Sequence, residues 1–200
     1  MFYVGPAKAK VDCLQFTKTI FQSPDDLTPL STWTSLVGTR SIDWGNILFK
    51  TFNMSKNLKL VQFQYKFLMR ITTCRYIRHK MKIDADNNCR LCSDKYTNDS
   101  DKVLETLNHL FLECPTSSTF FSKITSFIVD NFDPGYQDNR NYFLVTCDTP
   151  NEVVNYIVLI SKYYISRSYQ MNTPISWNSF LRTLRKMLLG ERATIRDVVL

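Results

Sequence analysis

The chain has 200 residues, 44% of them hydrophobic and 14% aromatic, which is enough to fill the core of one domain with arms; 5 glycines and 7 prolines exclude low-complexity and collagen-like chains. Its 25 lysines and arginines against 18 acidic residues give a net charge of +7, a balance that suits polyanionic partners. No apolar run approaches the roughly 20 residues that span a bilayer, and "MFYVGPAKAKVDC" lacks the charged and apolar regions of a secretory leader. The expectation is an intracellular protein of nucleus or cytoplasm, with no membrane partner and with its thiols kept reduced.

In chain order, residues 1–43 carry Pro6, Pro24 and Pro29 among many Ser, Thr and Asp, and keep no sustained apolar period. They are expected to form an irregular arm or linker. Residues 44–130 read as basic helices around a Cys/His cluster. "SIDWGNILFKTF" predicts a short helix, and "NLKLVQFQYKFLMRI" a second with Leu58, Val61, Tyr65, Leu68 and Thr72 on its buried stripe. "TTCRYIRHKMKI" predicts a short basic helix capped by Thr72 or Thr73, which stops before the polar loop "DADNN". "KVLETLNHLFLEC" has Val103, Leu107 and Leu110 at helical spacing, so His109 is expected on a helix that Pro115 stops just after Cys114. "SSTFFSKITSFIVDNF" repeats the pattern with Phe120, Ile124, Phe127 and Ile128. Residues 131–200 read as a C-terminal helical region. There Thr149, Pro150 and Glu152 predict a capping box, "VVNYIVLISKYYISRSYQ" a long helix, and "SWNSFLRTLRKMLLG" a last one with Gly190 as its cap. The fold class is therefore mostly α, an irregular N-terminal arm followed by a helical module with a small CCHC zinc knuckle.

That knuckle gathers three of the 6 cysteines and one of the 2 histidines. Cys89-x2-Cys92 is a tight pair of thiols, and His109-x4-Cys114 supplies a second pair from a helix and its end. Four such ligands close a tetrahedron around zinc, leaving no position for water, so the metal is read as structural and not catalytic. The alternative is a helix with one core histidine and three buried cysteines. Cys13, Cys74 and Cys147 have no partner at ligand spacing and read as core or free thiols, and His79 as an exposed imidazole.

From Trp44 to Ile83 there is no Asp or Glu, while Lys56, Lys59, Lys66, Arg70, Arg75, Arg78, Lys80 and Lys82 fall in the same stretch. Without acids to pair with at i,i+4, these side chains read as a phosphate-facing surface, and Tyr65 or Tyr76 as candidates for stacking on unpaired bases. Asp84-x-Asp86 lies in a polar loop and is not read as a catalytic pair. No phosphate-cradling glycine loop, Gly-x-Ser-x-Gly elbow or HExxH is present, so no catalytic residue and no small-molecule substrate is assigned.

"ETLNHLFLECP" preceded by "CRLC", with "LVQFQYKFLMRITT" upstream and "VNYIVLISKYYISRS" downstream, resembles the C-terminal segment of LINE-type (non-LTR) retrotransposon reverse transcriptases over about residues 44–190, including its zinc-binding region. The Cys, Cys, His, Cys order maps onto Cys89, Cys92, His109 and Cys114. Relatives often carry His-Arg where this chain has Met69-Arg70, and several have a shorter gap between the second cysteine and the histidine. The family's paired-aspartate polymerase centre belongs upstream and is not among these residues. The resemblance implies a non-catalytic, zinc-stabilised piece of a transposable element's polymerase that binds RNA or DNA during target-primed reverse transcription and lies against upstream reverse transcriptase domains. The other reading is a zinc-held scaffold that docks onto the polymerase or a host protein, suggested by apolar residues on both faces of "YIVLISKYYI".

Overall fold

The computed structural model describes residues 28–37, 43–92, 103–136 and 151–196. These are mostly helical, as the sequence predicts: α1 (Thr28–Val37), α2 (Trp44–Asn53), α3 (Leu58–Leu68), α4 (Arg75–Lys80), a π-helical turn (His109–Glu113), α5 (Pro115–Asn131), α6 (Glu152–Gln170) and α7 (Trp177–Arg196). The only β pairing among the described residues is an isolated antiparallel bridge between Asn88 and Leu104. Cys13, Cys147, Thr149, Pro150, the loop "SDKYTNDSDK" and residues 1–27 of the expected arm lie outside the described residues.

Helix α6 is the axis of the fold and packs against α3, α5 and α7. Its residues Tyr156 to Ile160, Tyr164 and Ile165 are buried, so the molecule's own core covers both of its apolar faces. Asn151 starts the helix by accepting from the amides of Val153 (3.0 Å) and Val154 (3.3 Å). The capping residue is thus Asn151, and Glu152 is the first helical position in place of Pro150. Lys162 lies wholly inside the core, its Nζ donating to Gln64 Oε1 of α3 at 2.6 Å and lying 5.0 Å from the centre of the Phe67 ring.

This polar pair helps to set the rotation of α3. Leu60, Val61, Phe63, Gln64, Phe67 and Leu68 face inward, whereas Leu58 is 79% exposed and Tyr65 half-buried. Of the expected stripe, Val61, Leu68 and Thr72 are buried while Leu58 and Tyr65 are turned aside, because an apolar-rich sequence offers several stripes and tertiary packing selects one. Asp43 and Asn57 cap α2 and α3 by accepting from the amides of Asn46 and Lys59.

Part of the stretch expected to be an irregular arm is helical. Trp33 of α1 is 1% exposed, stacks on Phe67 with ring centres 5.1 Å apart, and donates its indole N–H to the Leu68 carbonyl at 2.8 Å. One buried aromatic with a satisfied N–H thus ties this polar segment to the core.

Three helices end in the same way. Arg70 (φ 55°), Lys82 (φ 59°) and Asn172 (φ 51°) adopt the left-handed conformation after α3, α4 and α6. In each case their amides and those of the following residues close a Schellman pair, as in Arg70 N–H to Phe67 O (3.0 Å) and Ile71 N–H to Lys66 O (2.9 Å). Glycine, by contrast, does not end α7: the helix runs through Gly190 to Arg196. Beyond that glycine the Glu191 carboxylate accepts from the Ser55 hydroxyl, the Lys56 amide and the Tyr156 hydroxyl. These contacts offset the roughly 1 kcal/mol that a mid-helix glycine costs.

Candidate metal centre and basic surface

Cys89, Cys92, His109 and Cys114 come together, all buried, with their ligand atoms within 4.8 Å of one another. The knuckle carrying Cys89 and Cys92 hangs from the Asn88–Leu104 bridge, where the Cys89 amide donates to Val103 O (2.9 Å) and the Glu105 amide to Asn87 O (2.8 Å). Residues 103–106 are therefore not helical where helical spacing predicts a helix, since their backbone pairs with the knuckle and turns at Glu105, the Thr106 amide donating to Leu104 O at 3.0 Å.

The second ligand pair is placed by an unusual turn. Five residues of α-helix advance by about 500°, which would set His109 and Cys114 roughly 140° apart. Instead the Cys114 amide donates to the His109 carbonyl at 2.6 Å, and the wider π turn brings both side chains to one point. Thr106 Oγ1 accepts from the His109 amide (3.0 Å) at the start of this turn. The helical run that carries His109 ends at Glu113, with Cys114 extended before Pro115, as expected; Pro115 also opens the next helix. It occupies the first turn of α5, which leaves Cys114 at that helix's N-terminal end.

The spacings suit a four-coordinate ion. Sulfurs at about 2.3 Å from a tetrahedral centre lie about 3.8 Å apart, and a sulfur and an imidazole nitrogen about 3.6 Å apart. Cys89 Sγ is 3.9 Å from Cys114 Sγ, and Cys92 Sγ is 3.4 Å from His109 Nε2. No disulfide links the described cysteines. His109 turns its other nitrogen, Nδ1, toward the Glu113 carboxylate at 4.0 Å, longer than a direct hydrogen bond. The cluster therefore can hold a metal ion, with four protein ligands and no open side.

The Cys89 and Cys114 sulfurs share one hydrogen bond, so one thiol of the pair is held below the ordinary range while the other is raised, and the amides of Ser117 and Thr116 at the start of α5 favour the charged form at Cys114.

Two further groups brace the site. Thr116 Oγ1 donates to the Leu91 carbonyl at 2.6 Å and pins the knuckle to α5. Glu105 is 0% exposed, and its carboxylate accepts from the Arg75 amide (2.8 Å) and the Arg90 amide (3.3 Å), with the Tyr169 hydroxyl as a third donor. One side chain thus joins α4, the knuckle and α6. Burial pushes its carboxyl up, and the Arg75 amide, Tyr169 and the Arg90 amide oppose that shift. Nothing in the sequence separates this glutamate from those on helix surfaces.

The eight basic residues divide. Arg78 makes a bidentate pair with Asp84 (2.8 and 2.9 Å), and Arg75 reaches Asp86 (2.9 Å) and the Asn88 carbonyl (3.1 Å). The Arg78 guanidinium, hydrogen-bonded to it, holds the Asp84 carboxyl below its usual range. The acids absent from residues 44–83 stand just past that stretch, so these two arginines are paired and hold α4 to the loop before the knuckle. Arg70 donates to Asn108 Oδ1 (3.0 Å), and its guanidinium lies 4.9 Å from the Trp33 ring centre. Lys56, Lys59, Lys66, Lys80 and Lys82 are exposed. Lys80 lies over the half-buried Tyr76 ring at 4.4 Å, and Tyr65 packs on Phe52. His79 is exposed and away from the cluster, its Nδ1 within 3.1 Å of the Asp84 carbonyl. Cys74 is buried and outside it. No helix among the described residues is long and apolar enough to cross a membrane.

Compared with known protein families, with curated proteins and with solved structures, the chain matches none.

Proposed function

We propose that this chain is a zinc-stabilised, non-catalytic module of a non-LTR retrotransposon reverse transcriptase, gripping RNA or DNA by its phosphates during target-primed reverse transcription. The observation that carries the reading is the closed Cys89, Cys92, His109, Cys114 cluster, in the order and sequence surroundings that resemble that family. Three thiolates and an imidazole in a tetrahedron are zinc's ligands of choice, and with all four positions held by protein the ion folds and does not catalyse. Exposed lysines on α3 and beyond α4 supply positive charge on elements that the cluster and its bracing hold in place.

The scaffold reading drew on apolar residues along both faces of α6, and the molecule's own core accounts for those. The arginines change roles: Arg75 and Arg78 hold the fold, and the exposed lysines carry the phosphate contacts. The quadruple change of Lys59, Lys66, Lys80 and Lys82 to Gln is expected to weaken nucleic-acid binding. It should flatten the dependence of log affinity on log salt by about 3, at about 0.7 for each single-strand phosphate no longer neutralised. Bound zinc should stay unchanged. Binding titrations over a salt series check this, and an unaltered slope would remove the lysines from the interface.

A further inference from the structure

Two adjoining clefts run along the C-terminal half of α6. The larger, about 740 Å³, lies where the start of α3, the end of α6 and α7 meet, and has Lys56, Arg167 and Lys186 on its walls. The second, about 450 Å³, lies between α3 and α6 and is lined by Lys59, Lys66 and Arg167. Arg167 and Met171 line both, so the two clefts meet at these side chains.

The charge along these clefts is one-sided. Among the described residues five cations line them, and the one acidic residue on their walls, Glu191, has its carboxylate engaged by Ser55, the Lys56 amide and Tyr156. Lys59 and Lys66 stand two turns apart on α3, roughly 10 Å along its axis, so they can meet separate phosphates. Between the cations the walls are neutral and partly apolar, with Gln62, Gln170, Tyr163 and the 65% exposed Met171. Positive charge set over a neutral, partly apolar floor suits a chain whose backbone carries one anion per unit and whose bases are flat and weakly polar. An extended single strand can lower its phosphates into concave clefts of this size, whereas a stiff duplex presents them on a convex surface.

We propose that the joined clefts are the path of a single-stranded nucleic acid, and that Arg167 and Lys186, from the C-terminal helices, make phosphate contacts alongside Lys59 and Lys66. The proposal rests on the nucleic-acid reading above and deepens it, since the basic stretch before the knuckle supplies only one wall of the path.

The test uses the full, zinc-loaded chain and a short fluorescent single-stranded RNA of mixed sequence. R167Q/K186Q is expected to lower affinity and to flatten the log–log salt slope by about 1.4, two phosphates at about 0.7 each. Zinc content and helicity should match the wild type. Wild-type binding with an unaltered slope in the variant would overturn the proposed path and leave the broader reading standing, while no binding by the wild type would remove both. Lysine acylation of the wild type provides a readout that no variant's folding can confuse. Bound RNA should protect Lys59 and Lys186 but not Lys123, which is exposed on α5. Equal labelling of all three would overturn the path, as would displacement of the RNA by polyglutamate as readily as by unlabelled RNA, which would assign the clefts to acidic protein.

Discussion

Replacing Cys114 by serine is expected to destabilise the protein by about 4 kcal/mol or more and to abolish tight metal binding. A site with four protein ligands puts its metal-binding free energy into folding, and the apparent value for structural zinc in small peptides is about 10–16 kcal/mol. Cys114 links more than the metal, because its amide closes the π turn on His109 and its sulfur lies where α5 begins. Losing that ligand leaves the ion three-coordinate and frees the knuckle from the helix behind it. Against a typical domain stability of about 5–15 kcal/mol, such a loss brings the variant near unfolding. Urea denaturation of both proteins, each with and without chelator, reads the effect. The wild type should become less stable when its metal is removed, and the variant should no longer respond. A variant with the wild-type midpoint would mean that the cluster contributes nothing to the fold.

The second large effect is expected at Glu105, which touches no metal. Changing it to alanine leaves the Arg75 and Arg90 amides and the Tyr169 hydroxyl without their shared acceptor in a site with no access to water. Hydrogen bonds to a charged acceptor contribute about 1.5–3 kcal/mol each, and removing one partner of a buried charged network costs about 3–5 kcal/mol. Glutamine keeps the shape but sets an N–H₂ donor against one of the donors, so an intermediate loss is expected. The Arg90 amide lies between the two knuckle cysteines, so metal affinity should also fall, by roughly 10–100-fold as for other outer-sphere partners. Competition with a zinc chelator measures that directly. Alanine and glutamine variants that hold metal as tightly as the wild type would show that Glu105 braces the core and not the metal centre.

The Cys89, Cys92, His109, Cys114 cluster, which could hold a metal ion, was legible in the sequence because thiols and imidazoles are few and metal chemistry requires discrete types at short spacing. Helices α2, α3, α5, α6 and α7 were legible through their apolar period, although that period did not fix the rotation of α3. The buried contact between Gln64 and Lys162 helps to set it, and those residues are 98 positions apart. Helix α1 was hidden among its many Ser and Thr, since its buried residue, Trp33, packs on residues more than thirty positions away. The π turn carries no composition signal, because its hydrogen bond is selected by the need to aim His109 and Cys114 at one point. The left-handed ends at Arg70, Lys82 and Asn172 were likewise invisible to a search for glycine. The pairing of Arg75 and Arg78 with Asp86 and Asp84 was missed because an acid-free window says nothing of the loop that folds back on it.

The central claim joins a metal-held fold to phosphate binding, and one binding isotherm tests both. Fluorescent single-stranded RNA is titrated with the zinc-loaded 200-residue chain and with the chelator-stripped chain, each at low and at high salt. The loaded protein should bind and weaken steeply with salt, and the stripped protein should lose both its binding and much of its helical signal. Equal, salt-insensitive binding by a stripped and fully folded chain would contradict the account.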